Sequence, residues 1–261
     1  MSKLIVLTDL HMTPEGVSII GLDPLRRLEA AVAHINRRHP DAERVIVAGD
    51  LTHRGDAASY ARVRGALARL AVPVSLMIGN HDDRTAFQAA FPEAARDEDG
   101  FVQEALTIGG YRLLLLDTVM DRGPAGALCP QRMAWLGREL DAAGDAPVAI
   151  VMHHPPHATG FAGMDAIALQ NGEAFYAALE GRPNVRQIVA GHVHRTISGS
   201  HRGVPFCVFK SPVHQQPMDL DARDTSLSVD EPGAYGILLL GPHGVVVHTD
   251  DYELSQEPGT A

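Results

Sequence analysis

Five short clusters punctuate the chain, and each is made of residues that ligate metal ions or transfer protons. They are Asp9-Leu10-His11, Gly49-Asp50, Gly79-Asn80-His81-Asp82, His153-His154-Pro155-Pro156 and Gly191-His192-Val193-His194. Asp9, His11, Asp50, Asn80, His153, His192 and His194 together offer more ligand atoms than one ion accepts, but they suit two ions that share one ligand. Asp50 is the natural bridge. Its carboxylate has two oxygens and a charge, whereas Asn80 offers one neutral carbonyl oxygen and each imidazole one free nitrogen. If the backbone is extended there, residues two apart point to the same side, so Asp9 pairs with His11 and His192 with His194, each pair able to grip metal. Glycines 49, 79 and 191 would let backbone approach the site closely or take a positive φ.

Each of the five clusters directly follows an apolar run of strand length. The runs are Lys3 to Thr8, Arg44 to Ala48, Val74 to Ile78, Val148 to Met152 and Val185 to Ala190. Between them, Leu25, Leu28, Val32 and Ile35, and again Tyr60, Val63, Leu67 and Leu70, recur at the three-and-four spacing of a helix with one apolar stripe. Strand alternating with helix predicts an α/β fold with largely parallel strands, whose carboxyl ends gather the clusters at one place. Phe101 to Asp117 reads instead as two strands around a Gly109-Gly110 turn. After Ser200 the texture is β again, at Val204 to Phe209, Ala234 to Leu240 and Val245 to Thr249. The expected organisation is a core over residues 1–201, with residues 202–254 completing the same domain as strands plus a cap or dimerisation segment, a loop or cap lying around Ser211 to Glu231. Residues 255–261 are expected to be a flexible tail.

At 261 residues and 45% hydrophobic content the chain can bury a substantial core. Its 32 acidic residues outnumber 22 basic ones, so the surface should repel long nucleic acid. Cys129 and Cys207 lack the spacing of a disulfide or zinc framework and read as small buried hydrophobes. Met1-Ser2-Lys3 runs straight into a short strand rather than a signal-peptide pattern, and nothing approaches a membrane span. A cytoplasmic protein is the expectation.

The five clusters resemble, block for block, the motifs of the calcineurin-like metallophosphoesterases. GDLTHRG, MHHPP, GHVH, the stretch MDAIALQNG at Met164 to Gly172 and SPVHQQP at Ser211 to Pro217 are similar to bacterial class III cyclic nucleotide phosphodiesterases and related glycerophosphodiesterases. The resemblance implies a four-layer α/β/β/α sandwich with a C-terminal β extension or small cap, and a homo-oligomer through that segment. It implies that Asp9, His11, Asp50 and His194 hold one divalent ion and Asp50, Asn80, His153 and His192 the other, with Mn or Fe expected and Zn or Co also compatible. The implied activity is hydrolysis of small phosphodiesters by a hydroxide bridging the ions. Two divalent ions, less Asp9, Asp50 and the hydroxide, leave roughly one positive charge, which suits a singly charged diester.

His81 is the candidate to protonate the leaving alkoxide, with Asp82 orienting its ring, and Asn80, His81 and His194 are the candidate substrate contacts. His53 and Arg54 face either substrate phosphate or solvent. His154 is either a substrate contact or a support for the ligands. His214 is a pocket-wall residue or a turn or interface residue. A phosphomonoesterase, a nuclease and a non-catalytic scaffold on the same fold are the rival functions.

Overall fold

The computed structural model of the chain describes residues 1–253, so the expected tail at 255–261 lies outside the described residues. The elements are β1 (Ser2–Leu7), α1 (Pro24–Arg38), β2 (Arg44–Ala48), α2 (Ala57–Leu67), β3 (Val74–Met77), α3 (Arg84–Ala90), β4 (Glu104–Ile108) and β5 (Tyr111–Leu116). They continue as α4 (Pro130–Ala143), β6 (Val148–Met152), α5 (Ala162–Asp165), α6 (Gly172–Leu179), β7 (Val185–Ala190), β8 (Ile197–His201), β9 (Val204–Val208), β10 (Tyr235–Gly241) and β11 (Gly244–Asp250).

The strands form two sheets, one ordered β11-β10-β1-β2-β3 and the other β4-β5-β6-β7-β9-β8. Within them β1, β2 and β3 run parallel, as do β5, β6, β7 and β9. The pleat explains why the inner strands carry apolar residues on both faces. In β1, Leu4 and Val6 face the second sheet across a shared core with Leu113, Leu115, Ala149 and Val151, while Ile5 and Leu7 face the helices α1, α2 and α3. On the far side, Leu114, Ile150, Met152 and Ile188 pack against α4 and α6. The layers are therefore helices, sheet, sheet, helices, the expected four-layer sandwich.

Local signals agree with this frame at α1, where Asp23 accepts the backbone N–H of Leu25, Pro24 opens the helix and Arg37 and Arg38 close it. Leu28, Ala31, Val32 and Ile35 supply its buried face. The C-terminal strands do not form a unit apart from the core. β10 and β11 widen the first sheet beside β1, and the expected boundary at 201/202 falls in the turn of the β8–β9 hairpin, which widens the second. The segment 211–231 is irregular apart from a bridge between Gln215 and Val229. Trp135 packs in the α4 core; Cys207 is buried, but Cys129 is only half-buried at the start of α4. No helix among the described residues is long and apolar enough to cross a membrane.

Candidate metal centre

Asp9 and His11 follow β1, Asp50 follows β2 and Asn80 to Asp82 follow β3, all in the first sheet, while His153 and His154 follow β6 and His192 and His194 follow β7 in the second. The centre therefore lies where the carboxyl ends of both sheets meet. Among the described residues seven non-glycine positions have positive φ, and five of them are Asp9, His11, Asp50, His192 and His194, at 57°, 41°, 50°, 70° and 52°. Such backbone is costly and persists where surrounding structure enforces it, most often at functional sites. Hydrogen bonds enforce it here: the Asp9 N–H donates to the Gly49 carbonyl at 3.0 Å and the His11 N–H to the Asp50 carbonyl at 2.9 Å. Gly79 is required for contact, because a Cβ there would lie 2.2 Å from Asp50 Oδ1.

The positive φ values overturn the expectation of extended backbone and separate His192 from His194. His11 meets His194, their Nε2 atoms 3.0 Å apart, whereas His192 groups with His153 and His154. Asp9, Asp50 and His153 bring a third set of ligand atoms within 4.8 Å of one another.

These atoms face one another as acceptors. His153 Nδ1 sits 2.9 Å from the Ala48 carbonyl, which can only accept, so the neutral ring donates there and directs the lone pair of Nε2 at Asp50 Oδ2, 3.3 Å away. His194 repeats the device. Its Nδ1 donates to the His214 carbonyl at 2.9 Å, and its Nε2 faces Asp9 Oδ1 at 3.4 Å and the His11 ring. Buried lone pairs pointed at carboxylates need a positive charge between them. His153 expresses that need as a proton affinity: burial disfavours its charged form, yet the Asp50 and Asp9 carboxylates outweigh burial and lift the ring to about 9. The Nε2 of His192 is buried without a hydrogen-bond partner. Carboxylate, imidazole and carbonyl donors so placed fit divalent transition ions. Asp50 Oδ2 stands 3.3 Å from His153 Nε2 and 3.6 Å from His11 Nε2, so one oxygen reaches both halves of the centre.

His81 enters from the same side. Its backbone N–H donates to Asp50 Oδ1 at 2.8 Å, and its Nδ1 donates to the His53 carbonyl at 3.0 Å. Asp82 does not orient the His81 ring, contrary to expectation. Its carboxylate accepts from the N–H groups of Leu51, Thr52 and Gly79 and from the hydroxyls of Thr52 and Tyr60, all at 3.0 to 3.1 Å. It ties the loop after β2 to the loop after β3, and burial followed by the Asp50 charge raises its carboxyl to about 6. Asp82→Ala should therefore cost about 3 kcal/mol or more in urea unfolding, because several buried donors lose their acceptor. Retention of full stability would show that those bonds contribute little.

His154 has both ring nitrogens engaged, Nδ1 with the Thr118 hydroxyl at 2.7 Å and Nε2 with the Pro124 carbonyl at 3.1 Å, and burial lowers it to about 3. Both nitrogens are thus taken, and His154 does not line the cavity that holds Asp50 and His81. His53 stacks on His81 with ring centroids 5.4 Å apart, and His214 packs 4.7 Å from the His194 ring. Both line a cavity of about 510 Å³ that also exposes Asp50, Asn80, His81 and His194. Arg54 is exposed and lies outside that lining. Sequence reasoning missed Thr8, whose hydroxyl holds Asp9 Oδ2 at 2.8 Å, and Ser211, whose hydroxyl holds the Asp9 carbonyl at 2.7 Å. Neither has a spacing that marks it.

A family model described as calcineurin-like phosphoesterase matches residues 2–196. The chain belongs to the calcineurin-like phosphoesterases. Among relatives in this family, a probable cyclic nucleotide phosphodiesterase of Rhodopseudomonas palustris is 41% identical over 249 residues, covering 94% of this chain and 91% of the relative. The glycerophosphodiester phosphodiesterase GpdQ of Enterobacter lignolyticus is 32% identical over 218 residues, covering 81% of this chain and 77% of its own. A dimetal phosphatase from Danio rerio shares the calcineurin-like fold, with a TM-score of 0.73, 15% identity and 95% of each chain covered.

Proposed function

We infer that this calcineurin-like phosphoesterase hydrolyses small phosphodiesters in a reaction that depends on two metal ions. Asp50 carries the reading, because its Oδ2 stands within reach of both histidine groups. In this assignment Asp9, His11, Asp50 and His194 hold one ion, and Asp50, Asn80, His153 and His192 hold the other. When bound, two divalent ions lower the pKa of water toward neutrality and neutralise charge on the phosphoryl oxygens. The mixed donor set suits Mn, Fe, Zn or Co, and availability decides among them, with Mn or Fe expected.

The chain's own groups bind the diester and finish the reaction. Asn80, His81 and His194 line the cavity, and in this reading they contact the diester phosphate. His81 is held by the His53 carbonyl at Nδ1, so Nε2 is the atom that gives a proton to the leaving oxygen as its bond to phosphorus breaks. Cyclic nucleotides and glycerophosphodiesters are the substrate classes suggested by the names of the relatives. Two reduced cysteines fit a reducing compartment.

The test is a comparison of kcat/KM, with added Mn²⁺, across cyclic nucleotides, glycerophosphodiesters, an aryl diester and an aryl monoester. Diesters should rank first. A monoester in first place would make this a phosphomonoesterase, and no metal-dependent turnover of any substrate would make it a scaffold. Asn80 brings no charge to its ion, so Asn80→Ala should empty that site first while the other keeps its ion, read by metal analysis. Equal loss from both would contradict the assignment.

A further inference from the structure

Of the seven non-glycine residues with positive φ among the described residues, Ile20 is not a candidate ligand, yet it lines the cavity as His11, Asp50, His192 and His194 do. Ile19 and Leu22 exchange both backbone hydrogen bonds, at 3.0 and 2.8 Å, and the two residues between them, Ile20 and Gly21, have φ of 46° and 85°. This is a two-residue turn with both central residues left-handed, the type I′ turn that favours Asn-Gly. A β-branched side chain at its first central position is strained. Core packing does not repay that strain, since Ile20 is 52% exposed.

Ile20 instead lines the cavity that holds Asp50, Asn80 and His81. Leu227, 41% exposed, lines the same cavity from the segment 211–231, and Met164 and Ile167 add apolar wall. The lining thus combines the candidate ligands and the polar side chains Gln216, Thr225, Ser226 and Ser228 with two exposed aliphatic side chains. Aliphatic surface gains by covering an apolar ring face and offers nothing to hydroxyl groups, which would lose water without gaining a hydrogen bond.

We propose that Ile20 and Leu227 form an apolar clamp that selects phosphodiesters bearing a nucleobase or aryl ring over glycerol-type diesters. The proposal rests on the diesterase reading and names the substrate class of that site. The turn explains why an isoleucine stands where asparagine would be at ease: the side chain serves the ligand, and the backbone is strained to present it.

The experiment measures kcat/KM with added Mn²⁺ for 3′,5′-cyclic AMP and for sn-glycero-3-phosphoethanolamine, in the wild type, Ile20→Asn and Leu227→Ser. Wild type should favour the cyclic nucleotide. Ile20→Asn should lower its kcat/KM about 10-fold, chiefly through KM, and leave the glycerol diester within about twofold. The same variant should raise Tm by about 2–4 °C, since asparagine relieves the turn. Leu227→Ser should reproduce the kinetic split without the gain in Tm. A wild-type preference for the glycerol diester, or equal effects of both variants on both substrates, would overturn the clamp and leave the diesterase reading intact. Failure of the wild type to turn over either diester would overturn both.

Discussion

Asp50→Asn should lower kcat/KM for small phosphodiesters by about 10³-fold, matching the several kcal/mol that metal ions contribute to phosphoryl transfer. The reason lies in one atom. Asp50 Oδ2 faces His153 Nε2 at 3.3 Å and His11 Nε2 at 3.6 Å, whereas Oδ1 is already engaged by the His81 N–H at 2.8 Å. Asparagine keeps an acceptor for His81 but removes the charge that both histidine groups confront. Metal analysis should therefore show the variant binding fewer than two ions per chain, with secondary structure retained. A variant that keeps two ions and wild-type turnover would remove Asp50 from the bridging role.

His81→Ala should lower kcat by about 10² to 10⁴-fold on diesters with alkoxide leaving groups, the range that positioned acids contribute. An aryl diester, whose leaving group is far less basic, should lose much less. That split distinguishes proton donation from a general defect of the site, because a disturbed metal centre would slow both substrates alike. The structure supplies a reason to expect unchanged metal content: the His81 contact with Asp50 runs through its backbone N–H, which alanine keeps. Full turnover of alkoxide diesters by the variant would remove His81 as the acid.

The parts of the fold that were legible in the sequence share a cause. β1, β2, β6 and β7 are largely buried on both faces, so each carries an apolar run up to its carboxyl end, as short as Ile188 to Ala190 in β7, and parallel pairing sends every polar cluster to one end. β8 was not legible, since Ile197-Ser-Gly-Ser-His has no alternation and is an edge strand paired with β9 alone. The ligand residues were visible by type, but their grouping was not. Extended backbone would have paired His192 with His194; the left-handed φ of both turns them to different partners.

Asp82 failed for a related reason. It adjoins His81 in sequence, but its carboxylate turns inward to Thr52 and Tyr60, and the His53 carbonyl takes the place assigned to it. Contributions made by backbone carbonyls, such as His214 to His194 and Ala48 to His153, leave no mark on residue type. Ile20 shows the opposite case. An isoleucine before glycine does not announce a type I′ turn, and only the backbone φ reveals the strain.

The number of metal ions that activity requires decides whether Asp50 joins two sites. Metal-free protein titrated with Mn²⁺, followed by bound-metal analysis and by hydrolysis of a cyclic nucleotide and a glycerophosphodiester, measures it. Two ions per chain should bind, with diester turnover appearing as the second site fills. Full turnover at one ion per chain, or turnover without metal, would contradict the two-metal centre around Asp50.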